Sequence, residues 1–433
     1  MKKLLSAICL LLLVSTVTLT VIINLRPSGD AASGEASAES DGALCTDTDL
    51  LLHVRAFDAA LFTYGRLSPT SGAIEASQSH IYTAELQKYP FDLYLRATPD
   101  CLFTVCFYEN GGASPTGGCA GAKDVTIPAS TPFRICIQGC SGEEKIADIA
   151  ALLAEVSVTG NPYAYELAHL ASTPAPIAPD LTEMKGINHT GWWKAPPNTL
   201  WAYEASKAKG FTFVECDIRF TKDGVPVLLH NTTINSTARN ADGTEISTTL
   251  AIADLTLEEV REYDFGVARG DLYAGTKIPT LAEFLTLCRS LGLYPYIDVK
   301  NTLSEGQALA VAQVMTAAGF EKSATLLVWS KTTFERLQVL LPEARYGFTV
   351  STKIHEQTMR TLLDMYGKAS VFLDVSILRA EDWIAFCKQH GIPVEVWTVD
   401  TEEKIVALDP FVTGVTSNKL NAKTVLDAYR SAE

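Results

Sequence analysis

Residues 185–230 read KGINHTGWWKAPPNTLWAYEASKAKGFTFVECDIRFTKDGVPVLLH, and their pattern decides the fold. Two apolar runs with strand character, Lys185 to His189 and Thr212 to Ile218, flank a stretch from Leu200 to Lys209. In that stretch apolar residues recur at three- and four-residue spacing until Gly210, which predicts a helix. The same unit repeats downstream. Strands are expected at Tyr294 to Lys300, Ala324 to Trp329, Ala344 to Phe348, Ser370 to Val375, Ile392 to Thr398 and Val412 to Ser417. Helical patterns such as Leu281 to Leu291, Ser304 to Ala318 and Ala380 to His390 lie between them. Eight strands alternating with helices over about 250 residues predict a closed α/β barrel, the (β/α)8 TIM barrel. Pro226 to His230 stands apart: the four-residue turn Thr221-Lys222-Asp223-Gly224 is too short for a parallel crossover, so this run must fold back as a hairpin. Residues 219–279 then form an insertion on one rim.

Catalytic groups of such barrels sit at the carboxyl ends of the strands. His189 ends the first strand. Glu215 and Asp217 lie two apart on the second and share a face, as do Asp298 and Lys300 on the third, whereas Cys216 and Val299 should face the helices. Three converging carboxylates with a lysine add nothing to the stability of a barrel interior; they suit an oxygen-ligated divalent cation, Ca2+ or Mg2+. His189 and His230, with an ordinary imidazole pKa of about 6.5, suit general acid and base. Which is which the sequence does not decide. A divalent ion, two histidines and a lysine together describe phosphoryl chemistry.

The run 187–234 together with IPTLAEFL (278–285), YIDVK (296–300) and VEVWTVD (394–400) resembles the glycerophosphodiester phosphodiesterase family. The resemblance implies a barrel of the phospholipase-C-like phosphodiesterase type that hydrolyses glycerophosphodiesters, or related glycerophosphate lipids and polymers, to glycerol 3-phosphate and an alcohol. It matches His189 and His230 to the acid/base pair, Glu215, Asp217 and Asp298 to the metal carboxylates, and Lys300 to the phosphate-holding lysine. Trp397 matches the aromatic lining the substrate side. The family's usual His-Arg-Gly, Pro-Glu-Asn-Thr and His-Asp stand here as His189-Thr190-Gly191, Pro196-Pro197-Asn198-Thr199 and His230-Asn231, and its late TD motif as Thr416-Ser417-Asn418. Thr190 and Asn231 would therefore meet the substrate in place of a guanidinium and a carboxylate, and Thr190 offers no bidentate fork for phosphate. Two readings follow: an active hydrolase with a shifted substrate, or a catalytically weak barrel that binds a ligand or a surface.

Upstream, residues 45–170 hold short β-branched and aromatic runs punctuated by Gly and Pro, the pattern of a β-sandwich with an accessory role in glycan or surface contact, or spacing. Six of the ten cysteines fall there, which favours disulfides in an exported domain, the alternative being that some are buried small apolar groups. Residues 171–182, rich in Pro and Ala, read as a linker to the barrel at 183–433, and residues 27–44 as a flexible tether. Lys2 and Lys3 precede an uncharged run from Leu4 to Leu25, so residues 1–26 are expected to be a signal anchor, or a signal peptide cleaved near Ala31–Ser33, with the body outside the cytoplasm. The whole chain has 433 residues, 47% hydrophobic and 20% charged, which excludes extended disordered or collagen-like architecture. Its net charge of -15 argues against nucleic acid as a partner and requires a local cation wherever an anionic substrate binds.

Overall fold

A computed structural model describes residues 48–432 except 99–100, 110–113, 140–145, 354 and 366–368. The expected anchor and tether, and Cys45 and Cys140, lie outside the described residues. No helix among the described residues is long and apolar enough to cross a membrane. The chain divides into two compact units at Glu166/Leu167.

The first unit contains a five-stranded and a three-stranded antiparallel sheet, with short helices beside them. Phe103, Val105, Ile135 and Ile137 of the larger sheet and Leu93, Leu95, Val156 and Val158 of the smaller share one core cluster. Alternating burial along Leu93–Ala97 follows from the two-residue period of a strand with one face inward. The strand Pro115–Ala122 carries three glycines and few apolar residues, so the sequence reads there as turns; it forms because Cys101–Tyr108 offers it a paired edge. The disulfides expected here are not formed by Cys106, Cys119 or Cys136, which carry free thiols. Cys106 and Cys136 instead pack with Leu67 and Tyr108, and burial pushes both thiols up to about 11.

The second unit is the barrel. Its strands are β1 (Lys185–Asn188), β2 (Phe213–Phe220), β3 (Pro226–Leu228), β4 (Tyr294–Val299), β5 (Thr325–Val328), β6 (Arg345–Val350), β7 (Ala369–Asp374), β8 (Val394–Trp397) and β9 (Val412–Ser417). Eight are parallel, and the β1–β2 and β1–β9 pairings close the ring. β3 is the exception: it pairs antiparallel with β2, Ile218 opposite Leu228, as the short turn demands. With the residues after it, β3 builds an insertion with its own apolar core of Val227, Leu229, Ile234, Ile252, Val260, Phe265 and Ile278.

Helix limits follow local chemistry. Leu281–Leu291 begins at a capping box, in which the Thr280 hydroxyl accepts from the Glu283 N–H while the Glu283 carboxylate accepts from the Thr280 N–H, and it ends on left-handed Gly292. Glu305–Ala318 is bounded in the same way by Ser304 and Gly319. At the amino-terminal end of the barrel the segment expected as a linker is held down: Arg289 donates to the Pro174 carbonyl at 2.9 Å, and Ile177 and Leu181 pack against the barrel core. Within that core Lys185 and Glu395, with side chains 1% and 0% exposed, form an ion pair at 3.2 Å, to which Arg345 adds a second contact at 2.9 Å and Tyr296 a hydroxyl donor at 3.0 Å. All three donors converge on Oε1 and offset part of the cost of burying the charge, while Oε2 is left a buried oxygen without a hydrogen-bond partner.

Candidate active site

β2 and β4 are neighbours with Asp217 opposite Asp298, and Glu215 lies one inward-facing position earlier on β2. All three carboxylates are buried, and one oxygen of each comes within 4.8 Å of the others. Parity sends Cys216 and Val299 the other way, fully buried beneath the helices. The expected placement of these five residues holds.

Lys300, just past β4, sets its ammonium between the two aspartates, 2.6 Å from Asp298 Oδ2 and 2.9 Å from Asp217 Oδ1. The first contact is a hydrogen bond and the second a close ion pair, and no other donor reaches the buried Asp217 Oδ1. Burial would lower the lysine's pKa, but Asp298 and Asp217 together hold it above its ordinary value. Glu215 is pushed well up, first by burial and then by Asp217. Asp298 is raised chiefly by burial, whereas for Asp217 burial would raise the group but Lys300, His230 and Asn198 together hold it below the usual range. One ammonium against three buried carboxylates leaves excess negative charge. An oxygen-only donor set of this kind fits a hard divalent cation.

The histidines frame this cluster. His189 follows β1, with Nε2 4.0 Å from Glu215 Oε2. His230 is returned by the β2–β3 hairpin, where the Leu229 N–H donates to the Asp217 carbonyl at 3.0 Å. Both line one cavity of about 300 Å³, with Thr190, Pro197, Asn198, Leu228 and Phe265. A larger hollow of about 790 Å³ at the opposite end of the barrel, lined by Arg345, Tyr346, Ser370 and Thr413, gathers no comparable set of titratable groups. Chemistry belongs to the carboxyl-terminal rim.

The residues at which the sequence departs from the family pattern have definite positions. Thr190 is held at φ +51°, an uncommon conformation for a β-branched residue, by its N–H donating to Glu215 Oε2 at 2.9 Å. Asn231, expected at the substrate, pairs its Oδ1 with His230 Nδ1 at 2.8 Å and donates to Ser236 Oγ at 2.7 Å. Trp397 is half-buried, stacked on Phe372 and edge-on to Trp329. Trp329 connects it to the cluster, donating its indole N–H to Asp298 Oδ1 at 2.7 Å.

Several supporting residues escape a reading of the sequence. Buried Asn198 donates to Asp217 Oδ2 at 2.8 Å and accepts from the Asp217 N–H at 3.1 Å, while the Tyr203 hydroxyl donates to its Oδ1. Arg219 donates to the His230 carbonyl at 2.8 Å and so fixes the hairpin end. Asn418 and Asp400 stand behind His189. Asn198 lay within the quoted Pro-Pro-Asn-Thr run, Asp400 within VEVWTVD and Asn418 within Thr416-Ser417-Asn418, but nothing local marks Asp400 and Asn418 as partners of a histidine.

The glycerophosphoryl diester phosphodiesterase family model matches residues 189–422, more than half of the chain. The chain belongs to this family. A glycerophosphodiester phosphodiesterase of Caldanaerobacter subterraneus is 25% identical over 221 residues, covering 50% of this chain and 86% of that relative. Human glycerophosphodiester phosphodiesterase 1 is 39% identical over 110 residues, covering 25% of this chain but only 30% of its own length. Among solved structures, a glycerophosphoryl diester phosphodiesterase from Silicibacter pomeroyi superposes with a TM-score of 0.50 at 20% identity, covering 57% of this chain and 95% of that one, a likeness of fold.

Proposed function

We propose that the barrel is a divalent-cation-dependent hydrolase of glycerophosphodiesters, or of related glycerophosphate lipids and polymers, that releases glycerol 3-phosphate and an alcohol. One observation carries this reading: two histidines face one cavity beside three buried carboxylates, in a chain of this family. Glu215, Asp217 and Asp298 would hold the cation, which when bound supplies Lewis-acid stabilisation of phosphate oxygens. Lys300 adds a cationic donor beside it, and Asn198, Trp329 and the Thr190 N–H keep the carboxylates oriented. His189 and His230 exchange protons with the attacking oxygen and the leaving alkoxide. The test is release of glycerol 3-phosphate from a panel of glycerophosphodiesters by the purified chain, with Ca2+, Mg2+ or chelator. Hydrolysis abolished by chelation is expected, and His230→Ala should lower kcat by at least about 100-fold. Hydrolysis that survives both treatments sinks the proposal.

The second reading, a binding module with little turnover, is favoured by Thr190. Its side chain lines the cavity where the family pattern carries Arg. Thr190→Arg is expected to raise kcat/KM about tenfold, the equivalent of one charged hydrogen bond of roughly 1.5 kcal/mol. Arginine also tolerates φ +51° better than a β-branched residue. An unchanged kcat/KM would mean that the cavity accepts a substrate needing no such clamp. We place the body outside the cytoplasm on the sequence asymmetry alone, Lys2 and Lys3 before the apolar run and Asp30, Glu35 and Glu39 after it. Protease accessibility in intact cells checks this: full protection would refute it.

A further inference from the structure

We infer that Asp400 and Asn418 form a positioning relay that holds His189 in one tautomer, its proton on Nδ1 and its Nε2 turned toward the carboxylate cluster. The inference rests on the proposed role of His189 in proton transfer. Asp400 follows β8 and Asn418 follows β9, and the two strand ends are fastened where the Val399 N–H donates to the Thr416 carbonyl at 3.0 Å. The Asp400 carboxylate accepts three hydrogen bonds: from the Ser417 hydroxyl at 2.8 Å, the Asn418 N–H at 2.8 Å and the Asn418 side-chain amide at 2.6 Å. Burial would raise its pKa, but the bonds from Asn418 and Ser417 outweigh that and hold it below the usual carboxylate value. Asp400 is therefore an ionised, acceptor-only group at neutral pH.

The orientation of Asn418 follows. Were its amide flipped, Oδ1 would face Asp400 Oδ2 at 2.6 Å, two acceptors with no proton between them. Nδ2 must therefore face Asp400, and Oδ1 faces His189 Nδ1 at 2.9 Å. Oδ1 is an acceptor, so Nδ1 must carry the hydrogen, and Nε2 is left as the proton acceptor of the neutral ring, 4.0 Å from Glu215 Oε2. The backbone is anchored to the same strand, the His189 N–H donating to the Ser417 carbonyl at 3.0 Å. His230 has no equivalent restraint. Its Nδ1 partner Asn231 is bonded onward to the Ser236 hydroxyl, which can donate or accept, so reversing that amide costs no hydrogen bond.

The test is a side-chain swap read in two ways. With the full chain labelled with 15N-histidine and the His189 signals identified by their loss in His189→Gln, wild type is expected to show a protonated Nδ1 and an unprotonated Nε2 at a pH where the ring is neutral. Asp400→Asn lets the Asn418 amide reverse and should populate the Nε2–H form. It should also lower kcat about 10- to 100-fold, the range for losing an outer-shell orienting partner, with KM changed by less than about twofold. The double variant Asp400→Asn with Asn418→Asp puts an acceptor-only group back on Nδ1 and a donor behind it, and should restore both the tautomer and kcat. The relay is overturned if Asp400→Asn leaves the nitrogen shifts of His189 unchanged, or if the swap folds with a wild-type melting temperature yet does not restore them. Were wild type to cleave no diester, the proposed function would fail while the nitrogen shifts still decided the relay.

Discussion

Glu215→Gln is expected to lower kcat/KM for diester hydrolysis by at least about 1,000-fold, roughly 4 kcal/mol, while raising the melting temperature of the cation-free protein. The two effects have one cause. Burial, and then Asp217, hold the Glu215 carboxyl well above its ordinary pKa, so the folded chain binds that proton more tightly than the unfolded chain. The group's stabilising contribution is full below the unfolded carboxyl value of about 4.3 and is lost as pH rises through the higher folded value. At neutral pH the carboxylate opposes folding unless a cation neutralises it. Glutamine keeps an acceptor for the Thr190 N–H but removes the charge. Melting curves at pH 5 and pH 8, with and without Ca2+ or Mg2+, provide the check: wild type should gain stability on cation addition, and Glu215→Gln should lose most of that gain. Equal cation-induced shifts in the two proteins, or activity within tenfold of wild type, would refute the assignment of Glu215 as a cation ligand.

Lys300→Met should move the cation-free protein in the opposite direction. Lys300 is the ammonium that contacts both Asp217 and Asp298, and its side chain is 12% exposed. Removing one partner of a buried ion cluster leaves uncompensated charge, at a cost of about 3–5 kcal/mol. The loss of a cationic donor at the phosphate adds a fall in kcat of about 100- to 1,000-fold. Because Asp298 and Asp217 raise the lysine's pKa, its stabilising contribution is full below the ordinary lysine value of about 10.4 and disappears only as pH climbs through the folded value, so it operates across the whole neutral range. In the variant the three carboxylates lose their counter-charge. Its deficit should therefore shrink toward pH 4, where they take up protons, and on addition of a divalent cation. Denaturant unfolding at pH 4 and pH 8 measures this. A deficit independent of both pH and cation would show that Lys300 contributes packing instead of charge.

Glu215, Asp217, Asp298 and Lys300 could be named from the chain alone because each claim rests on a local rule. Strand parity puts residues two apart on one face, and a barrel presents strand ends at one rim. His230 needed one more step, the four-residue turn that forbids a crossover, and the antiparallel pairing of Ile218 with Leu228 bears it out. The helix over 281–291 was legible from its three- and four-residue apolar spacing, to which the structure adds its capping box. That Asn231 also bonds the His230 ring was not legible, because the contact depends on a ring one residue away whose direction the sequence does not show. Disulfides were expected from cysteine number, but Cys106 and Cys136 serve as packing groups under Leu67 and Tyr108. The strand Pro115–Ala122 was invisible because its glycines carry no side-chain signal and only its partner makes it a strand.

The order of strands and helices, the inward-facing carboxylates and the hairpin that returns His230 were determined by the sequence itself, since residue type, a period of two and a turn length are local quantities. What the tertiary structure alone decided is how these groups are held: Asn198 on Asp217, Trp329 on Asp298, and Asp400 through Asn418 on His189. Asn418 and His189 lie 229 positions apart and meet only because β9 closes the ring against β1, with Ser417 opposite Asn188. A contact of that span depends on the register at which the barrel closes, and that register is set by the packing of every strand at once.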